Sequence, residues 1–276
     1  MIDLSEITHG LDQQEDGTWR ARNCSEISYP EEANKRCYQL EDESFWFQHR
    51  NACIIEVMKQ FAPGGTLFDI GGGNGFVAKA LEREGVETIL LEPGQGADFA
   101  RERGVSQIIQ STLADAEFNP GSIPAAGFFD MIEHIEDDRK FLQEMYGLMQ
   151  PEGRVYITVP AYQSLWSLDD EVSGHFRRYT ARSLGQVLEE SGFKVLYTTY
   201  LFRFLPLPVF LFRKIPSALG IRGSNRNEKV KDEHKVRSAF LRNTLDGVLG
   251  HELRTIRRGA RVGFGGSVLA VAERNA

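Results

Sequence analysis

The chain has 276 residues, of which 41% are apolar and 26% are charged, and this composition fits one large α/β domain with insertions. Its net charge of -7 argues against nucleic acid as the main partner, because proteins that bind nucleic acid usually carry a basic face. The three cysteines follow no metal-binding spacing and their number is odd, so we expect free thiols and a reducing, cytoplasmic location.

The first 43 residues are polar and weakly periodic, and we predict an irregular N-terminal arm there. They lack the basic region and apolar run of a signal peptide, so we expect none. The most apolar stretch is residues 201–219, but it contains charged residues and several prolines. A membrane-spanning helix needs about 20 mostly apolar residues, so this stretch is not predicted to be one.

From residue 44 onward, strand patterns and helix patterns alternate along the chain. Short buried runs predict strands at residues 66–70, 88–91, 107–110, 123–129, 154–159, 194–200 and 267–272. Apolar residues at helical spacing predict one helix that begins at residue 44. They predict five further helices, which contain residues 77–81, 97–103, 141–149, 184–188 and 236–248. This alternation predicts a doubly wound, mostly parallel sheet in a domain of residues 44–276, with an insertion at about 201–262.

The clearest motif is the glycine-rich segment Gly71–Gly75, which lies between the first of these strands and a helix. Glycine permits a sharp turn and the close approach of a ligand, and ligands of open α/β sheets sit beyond the carboxyl ends of strands. The dinucleotide fingerprint would need a glycine where this chain has Phe76. Asp69 would repel a pyrophosphate and would attract a cationic group, such as the amino group of S-adenosylmethionine (SAM). The alternative is a tight turn that Asp69 caps.

Two further acidic residues fit an adenosine ligand. Glu92 ends the second predicted strand, where a carboxylate typically accepts hydrogen bonds from ribose hydroxyls of either NAD or SAM. Asp115 follows the third predicted strand and is a candidate acceptor for the adenine amino group. The alternative for Glu92 is an exposed carboxylate at the end of a strand.

These motifs resemble the class I SAM-dependent methyltransferases, in particular the small-molecule branch called methyltransferase type 11 or 12. The resemblance rests on residues 68–75, Glu92, and residues 129–138, 160–161, 166–167, 170–171 and 174–180. It implies a Rossmann-like, seven-stranded sheet with an antiparallel last strand, and methyl transfer that leaves S-adenosylhomocysteine. The implied cofactor-binding residues are Asp69, Gly71, Gly72, Gly73, Gly75, Glu92, Asp115 and Asp130.

His134 follows the fourth predicted strand, where an acceptor would approach, and we predict that His134 and His175 act on the acceptor. The alternative is that Glu133 and His134 stabilise the first turn of a helix. A metal ion is not predicted, because two adjacent residues supply too few ligands.

Two more segments are candidates for contact with ligands. Arg177, Arg178 and Tyr179 follow the fifth predicted strand and could bind an anionic acceptor, or they could belong to a linker paired with the acidic residues 169–171. The aromatic segment that holds Phe47, His49 and Arg50 could cover the cofactor as a lid, or it could pack a helix on the sheet.

The favoured function is methyl transfer from SAM to an oxygen, nitrogen or carbon of a small molecule that is either apolar or anionic. The rival hypotheses are a nicotinamide-dependent oxidoreductase and a SAM-binding module without catalysis. The apolar residues 201–212 are followed by Arg213 and Lys214, a pattern that fits peripheral membrane contact, an entrance for an apolar acceptor, or an insertion packed on the domain. The sequence leaves the oligomeric state open.

Overall fold

The computed structural model describes residues 2–23, 31–211 and 239–276. Within these residues, nine strands form one sheet in the order β1-β2-β5-β4-β3-β6-β7-β9-β8. The strands are β1 (Leu11–Gln13), β2 (Trp19–Ala21), β3 (Leu67–Ile70), β4 (Thr88–Leu91), β5 (Ile108–Gln110), β6 (Ile123–Phe129), β7 (Met149–Pro160), β8 (Lys194–Leu201) and β9 (Ser267–Glu273).

The sheet is parallel from β2 to β7, and β9 runs antiparallel to both β7 and β8. The predicted α/β class and the antiparallel last strand are therefore confirmed. After β3, the chain adds β4 and β5 on one side and then returns to add β6 and β7 on the other side. In open α/β sheets, this reversal opens a crevice at the carboxyl ends of the strands, where ligands bind.

Helices cover both faces of the sheet. They are α1 (Leu4–Ile7), α2 (Glu31–Glu41), α3 (Phe45–Gln60), α4 (Phe76–Arg83), α5 (Gly96–Glu102), α6 (Asp138–Leu148), α7 (Leu168–Ser173), α8 (Ala181–Glu190), α9 (Pro206–Val209) and α10 (Ala239–Arg257). One apolar core joins the sheet to α6 and α8, and a second core joins it to α3, α4 and α10. Strands covered on both faces read as continuous apolar runs, and every residue of β3, β4 and β6 is buried.

The N-terminal arm differs from the prediction. We predicted an irregular segment, but β1 and β2 form a hairpin, and β2 pairs with β5 through Trp19 and Ile109. The arm thus extends the seven predicted strands to nine. Each of the two added strands has only three residues, which is too short for a periodic pattern to reveal.

One further boundary differs. The predicted turn at residues 151–153 lies inside β7, which begins at Met149 and has an irregular register opposite Ile123 and Ala125. Residue 236 of the predicted late helix and residues 212–219 of the apolar stretch lie outside the described residues. In the described part of the chain, no helix has both the length and the apolarity needed to span a bilayer.

Candidate functional site

The glycine loop begins directly after β3, at the reversal of strand order. Gly71, Gly73 and Gly75 have positive φ angles of 68°, 53° and 71°, which side chains other than glycine rarely adopt. A Cβ at Gly72 would lie 2.6 Å from Asp69 Oδ2, and one at Gly75 would lie 2.8 Å from the Cβ of Ala100, so these two glycines permit close packing. A Cβ at Gly73 would meet no described atom within 4 Å. Gly73 is therefore the loop residue that borders open space.

Asp69 lies beneath this loop and is completely buried. Neither of its carboxylate oxygens has a hydrogen-bond partner among the described residues. Burial raises the pKa of Asp69 to about 7; Arg50 and the nearby Ala78 N–H, which lies outside hydrogen-bond geometry, oppose this shift, and Glu92 adds to it. A buried carboxylate without a partner is costly, so the site favours a cationic or hydrogen-bond-donating ligand.

Glu92 follows β4 and connects the glycine loop to the next turn. One of its carboxylate oxygens accepts a hydrogen bond from the Gly73 N–H at 3.0 Å, and the other accepts one from the Gly94 N–H at 3.0 Å. Burial raises the pKa of Glu92, and these two N–H groups lower it. Each carboxylate oxygen can accept a second hydrogen bond, so Glu92 keeps capacity for ribose hydroxyls.

Helix α2 lies close to this part of the site. The side-chain amide of Asn74 donates to the backbone oxygen of Asn34 at 2.9 Å, and Asn34 also lies near Gly94. We did not predict this contact, because residues 1–43 carry no recognisable motif.

Asp115 lies in the loop after β5. The Thr112 hydroxyl donates to Asp115 Oδ2 at 2.7 Å, and the Asp115 N–H donates to Thr112 Oγ1 at 3.0 Å. These two bonds shape the loop locally. The role of Asp115 as the acceptor for adenine stays a prediction.

Asp130 follows β6 in a left-handed backbone conformation with φ of 55°, and its N–H donates to the Thr158 carbonyl at 2.8 Å. Its carboxylate forms an ion pair with Arg50 of α3. The guanidinium of Arg50 lies 4.9 Å from the ring centroid of Trp46 and 5.4 Å from that of Phe47. The fold thus brings Phe47 and Arg50 of the predicted lid to the end of β6.

His49, the third residue of the predicted lid, has a different environment. Its Nε2 lies 2.9 Å from Glu252 Oε1, and both side chains are buried. This contact joins α3 to α10, which agrees with the alternative interpretation that the aromatic segment packs a helix on the domain.

His134 and His175 contact each other close to Asp130, and their action on the acceptor stays a prediction. Their ring centroids are 4.7 Å apart, with an interplanar angle of 81°. Burial lowers the pKa of His134 to about 4, and the neighbouring His175 adds to the shift. His175 Nδ1 lies 2.9 Å from Asp170 Oδ1.

Asp170 holds the His175 segment in place. Arg178 Nε donates to Asp170 Oδ1 at 2.6 Å, and the Ser167 N–H donates to Asp170 Oδ2 at 2.8 Å. Burial alone would raise the pKa of Asp170, but the hydrogen bonds from His175 and Arg178 hold it well below its usual range. The Arg178–Asp170 pair fits the alternative interpretation of a paired linker.

Arg177 and Tyr179 also have partners within the protein. Arg177 Nη1 lies 2.9 Å from Asp138 Oδ2, and the Tyr179 hydroxyl donates to the same oxygen at 2.6 Å. These contacts attach the His175 segment to the start of α6. Binding of the acceptor by Arg177, Arg178 and Tyr179 therefore stays a prediction.

Comparisons with known sequences place the site in a family. A family model described as a methyltransferase domain matches residues 45–198, more than half of the chain. The ubiquinone biosynthesis O-methyltransferase of Vibrio cholerae is 29% identical over 144 residues, which cover 49% of this chain and 59% of that relative. The enzyme of that name from Pectobacterium carotovorum is 30% identical over 48% of this chain and 60% of its own length. The matched part thus spans about three fifths of each relative.

Solved structures share the fold at low identity. A chain of the Haloferax volcanii complex that contains the Trm112 methyltransferase activator superposes with a TM-score of 0.56 and 15% identity, over 89% of this chain and 95% of that one. Phosphoethanolamine N-methyltransferase 2 of Haemonchus contortus, in complex with SAM, superposes with a TM-score of 0.50 and 18% identity. The superposition covers 81% of this chain and 52% of that one. The family match, together with the glycine loop at the end of β3, establishes that the chain belongs to the methyltransferase domain family of class I SAM-dependent methyltransferases.

Proposed function

We propose that this chain transfers the methyl group of SAM to a small molecule, with SAM at the ends of β3 and β4 and the acceptor beside the end of β6. The observation that carries the cofactor half is the completely buried carboxylate of Asp69, which has no partner among the described residues. The α-amino group of SAM matches it in charge and in hydrogen-bonding capacity.

The other residues around the loop fit the rest of the cofactor. Glu92 would accept hydrogen bonds from the ribose hydroxyls, and Gly73 would let the cofactor approach the backbone. When bound, SAM supplies an electrophilic methyl group on a sulfonium sulfur. The task of the protein is then to align the acceptor with that methyl group and to exclude water.

The acceptor half of the proposal rests on the cluster around His134 and His175, which lies beside Asp130 at the end of β6. The two relatives named above are O-methyltransferases of ubiquinone biosynthesis. We therefore propose a hydroxyl oxygen as the methylated atom, with the two histidines as the groups that contact it.

An exposed apolar surface supports peripheral membrane contact as a further part of the proposal. Leu207, Phe210 and Leu211, in α9 and just after it, are all exposed, and Arg203 next to this helix is exposed as well. Apolar side chains next to cations favour an anionic lipid surface. A cytoplasmic location, with Cys53 as a free thiol, belongs to the same proposal.

Calorimetric titration with S-adenosylhomocysteine tests the cofactor site. Gly73→Ala places a Cβ in the open space of the loop, and Glu92→Gln removes a charged acceptor whose hydrogen bonds are each worth about 1.5–3 kcal/mol. We expect both variants to bind at least about tenfold more weakly.

Gly85→Ala is the matched control for this titration. Gly85 has φ of 81° and equally open space around it, but it lies in the turn after α4. It should lose stability without losing affinity for S-adenosylhomocysteine. Unchanged affinity in folded Gly73→Ala and Glu92→Gln, or tighter binding of NAD than of S-adenosylhomocysteine, would refute the proposed cofactor.

A further inference from the structure

Three potential metal ligands converge beside the acceptor side of the site. Glu133, His134 and His175 each offer one ligand atom, and these atoms all lie within 4.8 Å of one another. The first two belong to the short 3-10 turn after β6, and the third follows α7. The Phe176 N–H donates to the Glu133 carbonyl at 2.8 Å, which fixes the two segments against each other. In the sequence only Glu133 and His134 are adjacent, and His175 joins them through the fold.

The carboxylate of Glu133 is the main reason to expect a cation here. Glu133 is only 1% exposed, and its Oε2 is buried without a hydrogen-bond partner among the described residues. The two cations that act on Glu133, Arg50 and Arg178, form their ion pairs with other carboxylates, Asp130 and Asp170. A carboxylate in this position is costly unless it is protonated or bound to a positive ion.

The surroundings also orient the two imidazoles as metal ligands require. The pairing of His175 Nδ1 with Asp170 leaves Nε2 as the nitrogen for a metal, and Arg178 and the Ser167 N–H hold Asp170 in turn. Ligating histidines usually donate their other ring N–H to a carboxylate or a backbone carbonyl. The ring of His134 correspondingly hydrogen bonds to the backbone of the Ser173–Gly174 turn.

We propose that Glu133, His134 and His175 together bind one divalent transition-metal ion. Two imidazoles and one carboxylate suit zinc, iron(II), cobalt(II) or manganese(II) better than magnesium or calcium, which prefer sites made of oxygen ligands. Three protein ligands leave a coordination position open. The further step that an acceptor hydroxyl occupies this position and loses its proton more readily rests on the proposed function.

A second group of potential ligands, His49, Cys53 and Glu252, differs in a decisive way. Both oxygens of Glu252 already accept backbone hydrogen bonds, from the Phe202 N–H at 2.7 Å and the Arg203 N–H at 2.8 Å. His49 completes this network. Because hydrogen bonds satisfy this buried cluster, it needs no ion, and it provides the control for the experiment.

Cobalt(II) titration of the full chain, followed by visible and near-ultraviolet absorption, tests the site. We expect one equivalent of cobalt, with visible bands and without the charge-transfer band of a thiolate ligand. His175→Phe keeps an aromatic ring beside His134 but removes both nitrogens, and Glu133→Gln keeps the shape but removes the charge. Each should weaken cobalt binding at least about tenfold. Cys53→Ser should leave the cobalt spectrum unchanged.

Three results would overturn the proposal: no cobalt uptake, uptake that is unchanged in both His175→Phe and Glu133→Gln, or a thiolate band that disappears in Cys53→Ser. Titration of S-adenosylhomocysteine into the same metal-free samples separates the two proposals. If S-adenosylhomocysteine binds and cobalt does not, the metal site fails while the proposed cofactor site stands. If cobalt binds as expected and S-adenosylhomocysteine does not, the proposed cofactor fails while the metal site stands.

Discussion

At the scale of single residues, the site contains acidic groups that the fold keeps in unfavourable surroundings. Asp69 and Glu133 are both buried, each has at least one oxygen without a hydrogen-bond partner among the described residues, and the pKa of each is raised mainly by burial. Sites of this kind commonly reduce the stability of a protein in exchange for ligand binding. This loss of stability can be measured at Asp69, because the pKa of Asp69, about 7, falls within the pH range in which unfolding can be followed.

We predict that Asp69→Asn stabilises the folded chain in a manner that depends on pH. The pKa of Asp69 rises from 3.8 to about 7 on folding, with Arg50 and Glu92 as the charged groups nearby. Between these values the native state binds more protons than the unfolded state, so the stability of the wild type falls as the pH rises. Asparagine does not titrate. The gain in melting temperature over the wild type should therefore be larger at pH 8 than at pH 5.

The same substitution should weaken binding of S-adenosylhomocysteine, because it removes the negative charge opposite the amino group. Asp98→Asn, on the exposed surface of α5, is the control and should change neither property. Equal gains in melting temperature at both pH values would contradict the assigned pKa, and unchanged affinity would contradict the assigned contact.

At the scale of secondary-structure elements, α10 is attached to α3 by two side-chain contacts in different environments. Glu252 and His49 form a buried pair, and Glu252 also holds the N–H groups of Phe202 and Arg203. Phe202 has a positive φ of 60°, so this carboxylate stabilises a backbone conformation that is unfavourable for a bulky residue. Glu56 and Arg257 form the second pair at the surface.

We predict that Glu252→Ala destabilises the chain by roughly 3 kcal/mol, because it leaves buried N–H donors without an acceptor. Glu56→Ala is the matched control: it removes the ion pair with Arg257 between the same two helices, and solvent screens that pair. Denaturant unfolding of both variants makes the comparison. Equal losses of unfolding free energy would show that the buried carboxylate has no special role in holding α10.

The two parts of the site differed in how far the sequence could predict them. The glycine loop, Asp69 and Glu92 are close in sequence to the strands that position them, so local patterns were enough to identify them. Glu133 and His175 are brought together by tertiary packing, and no local pattern indicates that distance. The same limit applies to β2, whose partner β5 lies far along the chain. Patterns identify elements well, whereas contacts between distant segments depend on the whole fold.

At the scale of the whole molecule, the sheet places different chemistry at the ends of different strands. The carboxyl ends of β3 and β4 hold Asp69 and Glu92. The loop after β6 holds Asp130 and His134, and His175, which follows α7, meets His134 there. The strands β8 and β9 extend the sheet beyond β7, and the edge strand β8 leads into α9. The exposed apolar residues of α9 are thus on the same chain segment that leaves the edge of the sheet, where they can contact a surface outside the molecule.

We predict that the full chain sediments with anionic phospholipid vesicles and that the surface of α9 is responsible. Leu207 and Phe210 are 65% and 43% exposed, so their insertion would remove apolar area from water. Arg203 is exposed beside α9, and its positive charge favours anionic over neutral vesicles. Leu207→Ser combined with Phe210→Ser should lower vesicle affinity by about tenfold or more, since each buried apolar side chain contributes about 1.5–3 kcal/mol.

Phe264→Ser is the control, because Phe264 is 49% exposed but lies in the loop before β9. If the wild type stays in solution with anionic vesicles, or if Phe264→Ser weakens sedimentation as much as the α9 variant does, then α9 is not a membrane contact.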